Sequence, residues 1–267
     1  LRDEETGAQR ASRRNRPRRV LAIAASILAL TAIIGLPSAT SAATLRVVIV
    51  VGPVESTTAR YIADARQLAS LARSYGAAVT EIYSPRATWT RVHAAAQGAN
   101  ILIYLGHGNG TPSPYPYSTL TKNGLGLNRL ANHGNANVKY YGSAYMKTIH
   151  LAANSVVILN HLCYSAGNSE PGRTPPTASV ARSRIDYFAS SFLRTGARAV
   201  FAEPKGDARY ILTGLFKSSM TMRQIFVAHG APTTSFRSSR TPGAIAIARL
   251  TVRSVEGFLD TTAAAFR

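Results

Sequence analysis

The 267 residues contain one cysteine, Cys163, and it closely follows the apolar, β-branched run Ser155 to Asn160 (SVVILN). A second apolar run, Asn100 to Leu105 (NILIYL), leads directly into Gly106-His107-Gly108-Asn109-Gly110. These residue types suit nucleophilic chemistry, because a thiolate attacks carbonyl carbon and an imidazole can take the thiol proton and later hand it to a leaving amine. Gly108 carries no Cβ, so the backbone there can approach a substrate carbonyl closely. Its N–H and that of Cys163 are the natural pair of oxyanion donors. A lone cysteine cannot form an internal disulfide, which leaves two roles for it: a small buried hydrophobe or a working thiol.

The elements around these residues must bring them together. Leu45 to Val51 (LRVVIVV) is a continuous apolar run, as expected of a strand buried on both faces. Thr57 to Tyr75 has helical spacing, with Tyr61, Ala65, Leu68, Leu71 and Ala72 on one face and Gly76 as its stop. A strand over Ala77 to Tyr83, a helix over about Ala87 to Gln97 and the strand Asn100 to Leu105 continue the alternation. Strand and helix in turn predict right-handed βαβ units, hence a three-layer α/β/α sandwich with a mainly parallel central sheet. An insertion at about 109–150, rich in Pro, Gly and Asn, interrupts the rhythm, with helix expected near Thr119 to Ala131 and Ser143 to His150. The strand Ser155 to Asn160, a loop to Thr177, a helix over Ala178 to Thr195 and a strand over Ala197 to Ala202 follow. The remainder reads as a helical region over Ala208 to Ala228, a last strand within Ala244 to Val252 and a short helix from Ser254 onward. In such a sheet, functional groups collect beyond the carboxyl ends of the strands, and His107 and Cys163 both fall at such ends. Adjacent parallel strands lie about 4.8 Å apart, so adjacency of these two would place thiol and imidazole across one crevice.

Residues 1–43 have the form of an export signal: arginines from Arg10 to Arg19, an apolar run from Val20 to Leu36, and small residues from Ser38 to Ala43. Cleavage after Ala42 or Ala43 would leave a single domain over 44–267. The apolar run has 17 residues, the lower limit for spanning a bilayer, so an uncleaved anchor is the alternative. Either outcome places the domain outside the cytoplasm. The chain holds 31 basic and 12 acidic residues. Seven and three of these lie before Thr44, leaving 24 against nine, a net +15 on the remainder. That surplus favours anionic surfaces such as cell-wall polymers and acidic lipids, and no nucleic-acid-binding motif accompanies it. With 46% hydrophobic and 16% charged residues the composition is that of a globular protein.

The pair of strand ends, ILIYLGHG and VVILNHLCYSAG, resembles the caspase-like cysteine peptidases: caspases, metacaspases, legumains and gingipains. In that family a catalytic His is followed by Gly, and the catalytic Cys follows the next strand of the sheet, often within Cys-x-Ser-Gly. The resemblance spans about Leu45 to Phe226, and GARAVFAEPKGDARYILTGLF looks like the corresponding part of the related CHAT domains. It implies His107 as general acid/base, Cys163 as nucleophile and peptide or protein as substrate, with no cofactor. Two departures stand out. Ala166 intervenes before Gly167, and His161 occupies the position where metacaspases carry an acidic pocket residue two before the cysteine. Relatives also draw pocket residues from the loop after the first strand, which makes Glu55 a candidate partner for a basic side chain; Glu203, just past the fifth strand, is a second, and His161 a third lining residue. A carboxylate attracts Arg or Lys through charge-assisted hydrogen bonds. Glu55 would equally favour the N-terminus of the helix that follows it.

Other chemistries fit less well. GHGNG lacks the Lys-Ser/Thr ending of a phosphate-binding loop, and His107, His133, His150 and His161 lack the spacing of metal ligands. Nine scattered carboxylates form no calcium cluster, so no metal is expected. Two functions from different classes remain: a secreted cysteine endopeptidase working through Cys163 and His107, or a non-catalytic module of the same fold that binds anionic cell-envelope material through its basic surface.

Overall fold

The computed structural model describes residues 44–267; the expected export segment, residues 1–43, lies outside the described residues. The β-branched run after Leu45 becomes β1 (Arg46–Val51), and a 3₁₀ turn at Glu55–Thr57 leads into α1 (Thr58–Ser74). Gly76 follows at φ +85°, the left-handed turn that ends the helix. Then come β2 (Ala78–Tyr83), α2 (Trp89–Ala96) and β3 (Ile101–Leu105). The insertion carries a two-stranded antiparallel hairpin, β4 (Leu125–Asn128) with β5 (Val138–Tyr141), and a single helical turn, α3 (Ser143–Met146). Next are β6 (Val156–Asn160), α4 (Ala178–Leu193), β7 (Ala199–Glu203), α5 (Arg209–Lys217) and α6 (Met222–Val227). The chain closes with β8 (Thr234–Arg237), β9 (Ile245–Arg249), β10 (Arg253–Gly257) and α7 (Ala263–Phe266).

Eight strands form one sheet in the order β2-β1-β3-β6-β7-β10-β9-β8. The first five run parallel, and the last three join antiparallel. Alternate side chains of each strand face opposite layers. Val47, Ile49, Ile101, Ile103 and Ile158 pack with the apolar stripe Ala65, Leu68, Ala69 and Ala72 of α1 and with α5, α6 and α7. Val48, Val50, Leu102, Tyr104 and Leu159 pack with α2, the hairpin and Phe188 and Phe192 of α4. The three-layer α/β/α sandwich with a mainly parallel central sheet is therefore formed as the alternation implied.

Four stretches differ from expectation. The helix expected over Thr119 to Ala131 is instead a turn followed by β4, where Gly124 and Gly126 let strands approach closely: a Cβ at Gly124 would stand 2.0 Å from the Tyr141 carbonyl oxygen. The helix expected over Ser143 to His150 is reduced to α3. The stretch from Ser254 onward, expected as a short helix, begins as the wholly buried strand β10, and the helix forms only later, as α7. The polar residues of β10 hid the strand, since Arg253, Ser254 and Glu256 give no apolar alternation. The expected helical region 208–228 is broken at Ser218, which has extended dihedrals, and restarts at Thr221 through a capping box with Gln224.

Candidate active site

β3 and β6 are neighbours, with Leu105 opposite Asn160, so the loops carrying His107 and Cys163 leave the sheet side by side at its carboxyl edge. Their backbones touch. A Cβ built on Gly108 would lie 2.0 Å from the Cys163 carbonyl oxygen and 2.9 Å from its nitrogen, so no residue but glycine fits there without moving the cysteine. The space freed at Gly108 is thus taken by the peptide of Cys163. Two residues on, a Cβ at Gly110 would lie 2.3 Å from Cβ of Tyr164, which fits the second loop against the first. Neither the Gly108 nor the Cys163 N–H donates a hydrogen bond to a described residue, which leaves both able to meet a developing oxyanion.

Tyr104, wholly buried at the end of β3, braces the His107 loop from beneath. Its hydroxyl donates to the Gly126 carbonyl at 2.8 Å, with the His107 carbonyl 3.1 Å away, and accepts the Gly126 N–H at 2.9 Å. The inserted hairpin is thereby pinned over the histidine. Lys122, almost wholly buried, fixes the same loop from its other end, donating to Asn109 Oδ1 and Ser113 Oγ, each at 2.7 Å.

Burial pushes the Cys163 thiol up to about 11, and the carboxylate of Glu170 adds to the rise. Burial also holds the His107 imidazole below its ordinary value, against the opposing pull of Glu55 and Glu170. At neutral pH the Cys163 thiol and the His107 imidazole are therefore each uncharged, and His107 is not among the walls of the cleft that opens at Cys163. A neutral imidazole is the form that can accept a proton.

No protein-family profile matches the chain. No curated protein matches it either. Among solved structures it is similar to the Arg-specific cysteine proteinase gingipain R, at 13% identity and a TM-score of 0.39, over 82% of this chain and 61% of that one. It is also similar to a short-chain flavodoxin associated with a bacterial microcompartment, at 11% identity and a TM-score of 0.29, over 58% of this chain and 78% of that one. Neither likeness bears on this chain's chemistry.

Beside Cys163 opens a cleft of about 420 Å³, walled by Tyr61, His161, Glu170, Pro204 and Lys205 among others. His161 has a left-handed backbone at φ +63°, which turns its ring onto Tyr61 (stacked, centroids 4.7 Å apart) and brings Nε2 within 3.2 Å of Asp64. Burial, helped by Arg60, keeps its imidazole below the ordinary value despite Asp64. Glu55 opens the 3₁₀ turn after β1, is exposed and, though its charge acts on His107, is not among the cleft's walls. Glu203 is not among the cleft's walls. It is buried, accepts the Tyr210 hydroxyl at 2.5 Å and lies 3.9 Å from Arg253. The acidic residue that does face the thiol is Glu170, held by the Tyr115 hydroxyl at 2.9 Å. Its loop, which runs to Thr177, was legible as a loop, but no spacing marked this carboxylate. Among the described residues no three of His, Cys, Asp and Glu gather as metal ligands would.

Proposed function

We propose that this chain is an exported cysteine-type endopeptidase of the caspase-like kind, with Cys163 as nucleophile and His107 as general acid/base. The observation that carries this is the contact of the His107-Gly108 backbone with the peptide of Cys163 at the carboxyl edge of adjacent parallel strands. Export is inferred from residues 1–43 alone. In the first step Cys163 Sγ bonds to the scissile carbonyl carbon while its proton passes to His107, and the Gly108 and Cys163 N–H groups receive the oxyanion. As the tetrahedral intermediate collapses, the C–N bond breaks, and His107 returns the proton to the departing amine. Water then attacks the thioester with its proton going to His107, and the thiol leaves re-protonated with release of the acid.

A peptide-library digest comparing the native chain with Cys163→Ala tests this. Thiol-dependent cleavage is expected, and equal cleavage by both proteins would overturn it. One observation favours a second function: a thiol pushed up to about 11 is a poor resting nucleophile, as in a relative that has given up catalysis and binds anionic cell-envelope material through its net +15 surface. That function predicts salt-sensitive binding to anionic cell-wall polymer that survives Cys163→Ala. Labelling of Cys163 by a thiol-reactive substrate analogue that disappears in His107→Ala separates the two.

A further inference from the structure

Three hollows adjoin along the carboxyl edge of the sheet and down α5. The cleft beside Cys163 shares His161 and Lys205 with a middle hollow of about 260 Å³. The middle hollow shares Asp207 and Arg209 with a third, of about 500 Å³, between α5 and α6. The third differs in chemistry from the first. Tyr210, Met220, Ile225 and Ala228 stand on its walls, and the Tyr210 ring is fixed by stacking on His229 with centroids 4.0 Å apart. Met220, at its rim, is 40% exposed.

A row of hollows with a thiol at one end and apolar walls at the other fits an extended peptide. Such a chain advances about 3.3 Å per residue and sets side chains into separate recesses while its polar backbone crosses the links between them. Here those links are charged: Lys205, Asp207 and Arg209. We propose that the α5–α6 hollow is a distal subsite that takes a large apolar side chain of the same peptide whose scissile bond lies at Cys163. This rests on the proposed peptidase function. The occupant is a peptide rather than a free small molecule because the hollow adjoins, through shared walls, the row that ends at the thiol.

The test uses fluorogenic decapeptides in which a single phenylalanine replaces serine at successive positions away from the scissile bond. They are assayed with the native chain, Ala228→Arg and Met220→Glu, both altered at exposed positions. One distal position is expected to raise kcat/KM about tenfold, a gain lost in both variants, while a tripeptide substrate is cleaved equally by all three proteins. No favoured distal position, or a gain that survives in both variants, would overturn the proposal. Binding of the same labelled peptides to Cys163→Ala keeps the two ideas apart. If no Cys163-dependent cleavage occurs but phenylalanine-dependent binding is seen and is lost with Ala228→Arg, the peptidase falls and the apolar peptide subsite stands. If Cys163-dependent cleavage shows no distal preference, the subsite falls and the peptidase stands.

Discussion

The acid–base state of Cys163 and His107 determines how the pair would work. The imidazole lies below its ordinary pKa and the thiol at about 11, so the form with neutral thiol and neutral imidazole spans a wide pH range between them. The acid limb of kcat/KM is expected below pH 6.5, with no alkaline loss before the thiol itself titrates; an alkaline limb near pH 8 would point to a preformed ion pair instead. Gly108 offers a steric test. Gly108→Ala drives a Cβ to 2.0 Å from the Cys163 carbonyl, so the cysteine backbone must move. If Cys163 is the nucleophile proposed above, a shift of that kind is expected to lower kcat/KM by about 100-fold, and the overpacking to cost about 1–3 kcal/mol in a urea titration. Glycine next to the histidine was visible from sequence, yet its neighbour was not. The reading of the bare residue offered Gly108 to the substrate, whereas the folded chain gives that space to Cys163.

At the level of elements, the βαβ alternation was legible because buried parallel strands are almost unbroken apolar runs, and β1, β3 and β6 carry such runs. The hairpin and β10 were not, for a common reason: their strands are held by close backbone contact and buried polar pairing. Gly257, at φ +150°, would put a Cβ 2.1 Å from the Arg198 carbonyl, and Arg253 donates to the carbonyls of Phe226, His229 and Gly230. Contacts of that kind leave no periodicity. The inserted hairpin nevertheless bears on the site, since Tyr104 ties it to the His107 loop. Tyr104→Phe removes the only side-chain partner of the Gly126 N–H and carbonyl among the described residues. It is expected to cost about 1–3 kcal/mol by chemical denaturation and to lower kcat/KM, with the pH limbs unmoved because no titrating partner of His107 is lost.

Across the whole molecule, two buried carboxylates make stability depend on pH. Burial pushes Glu203 up to about 7 and Glu256 up to about 8, and both Glu256 oxygens lack a hydrogen-bond partner among the described residues. Unfolded, each would titrate near its ordinary 4.5. Between that value and about 8 the native state holds more protons than the unfolded one, so stability is greatest below the lower value and falls as pH rises through the interval. Melting temperatures should decline from pH 5 to pH 8, and Glu256→Gln, which cannot ionise, should flatten much of that slope. The buried His107 and His161, lowered by burial, act in the opposite sense, so the decisive comparison is native chain against Glu256→Gln: identical slopes would show that Glu256 is ionised in the fold.

The order of apolar runs, their β-branched content and their helical neighbours determined by themselves that this chain builds an α/β sandwich and that His107 and Cys163 sit at strand ends. Those are local properties, set by burial of contiguous side chains. Only the tertiary structure decided which strands are neighbours, that Gly108 presses on Cys163, that Glu170 faces the thiol while Glu203 turns into the core, and that a middle hollow links the α5–α6 hollow to the cleft. Each of these depends on groups far apart in the chain, brought together by packing, and no spacing along a sequence records such contacts.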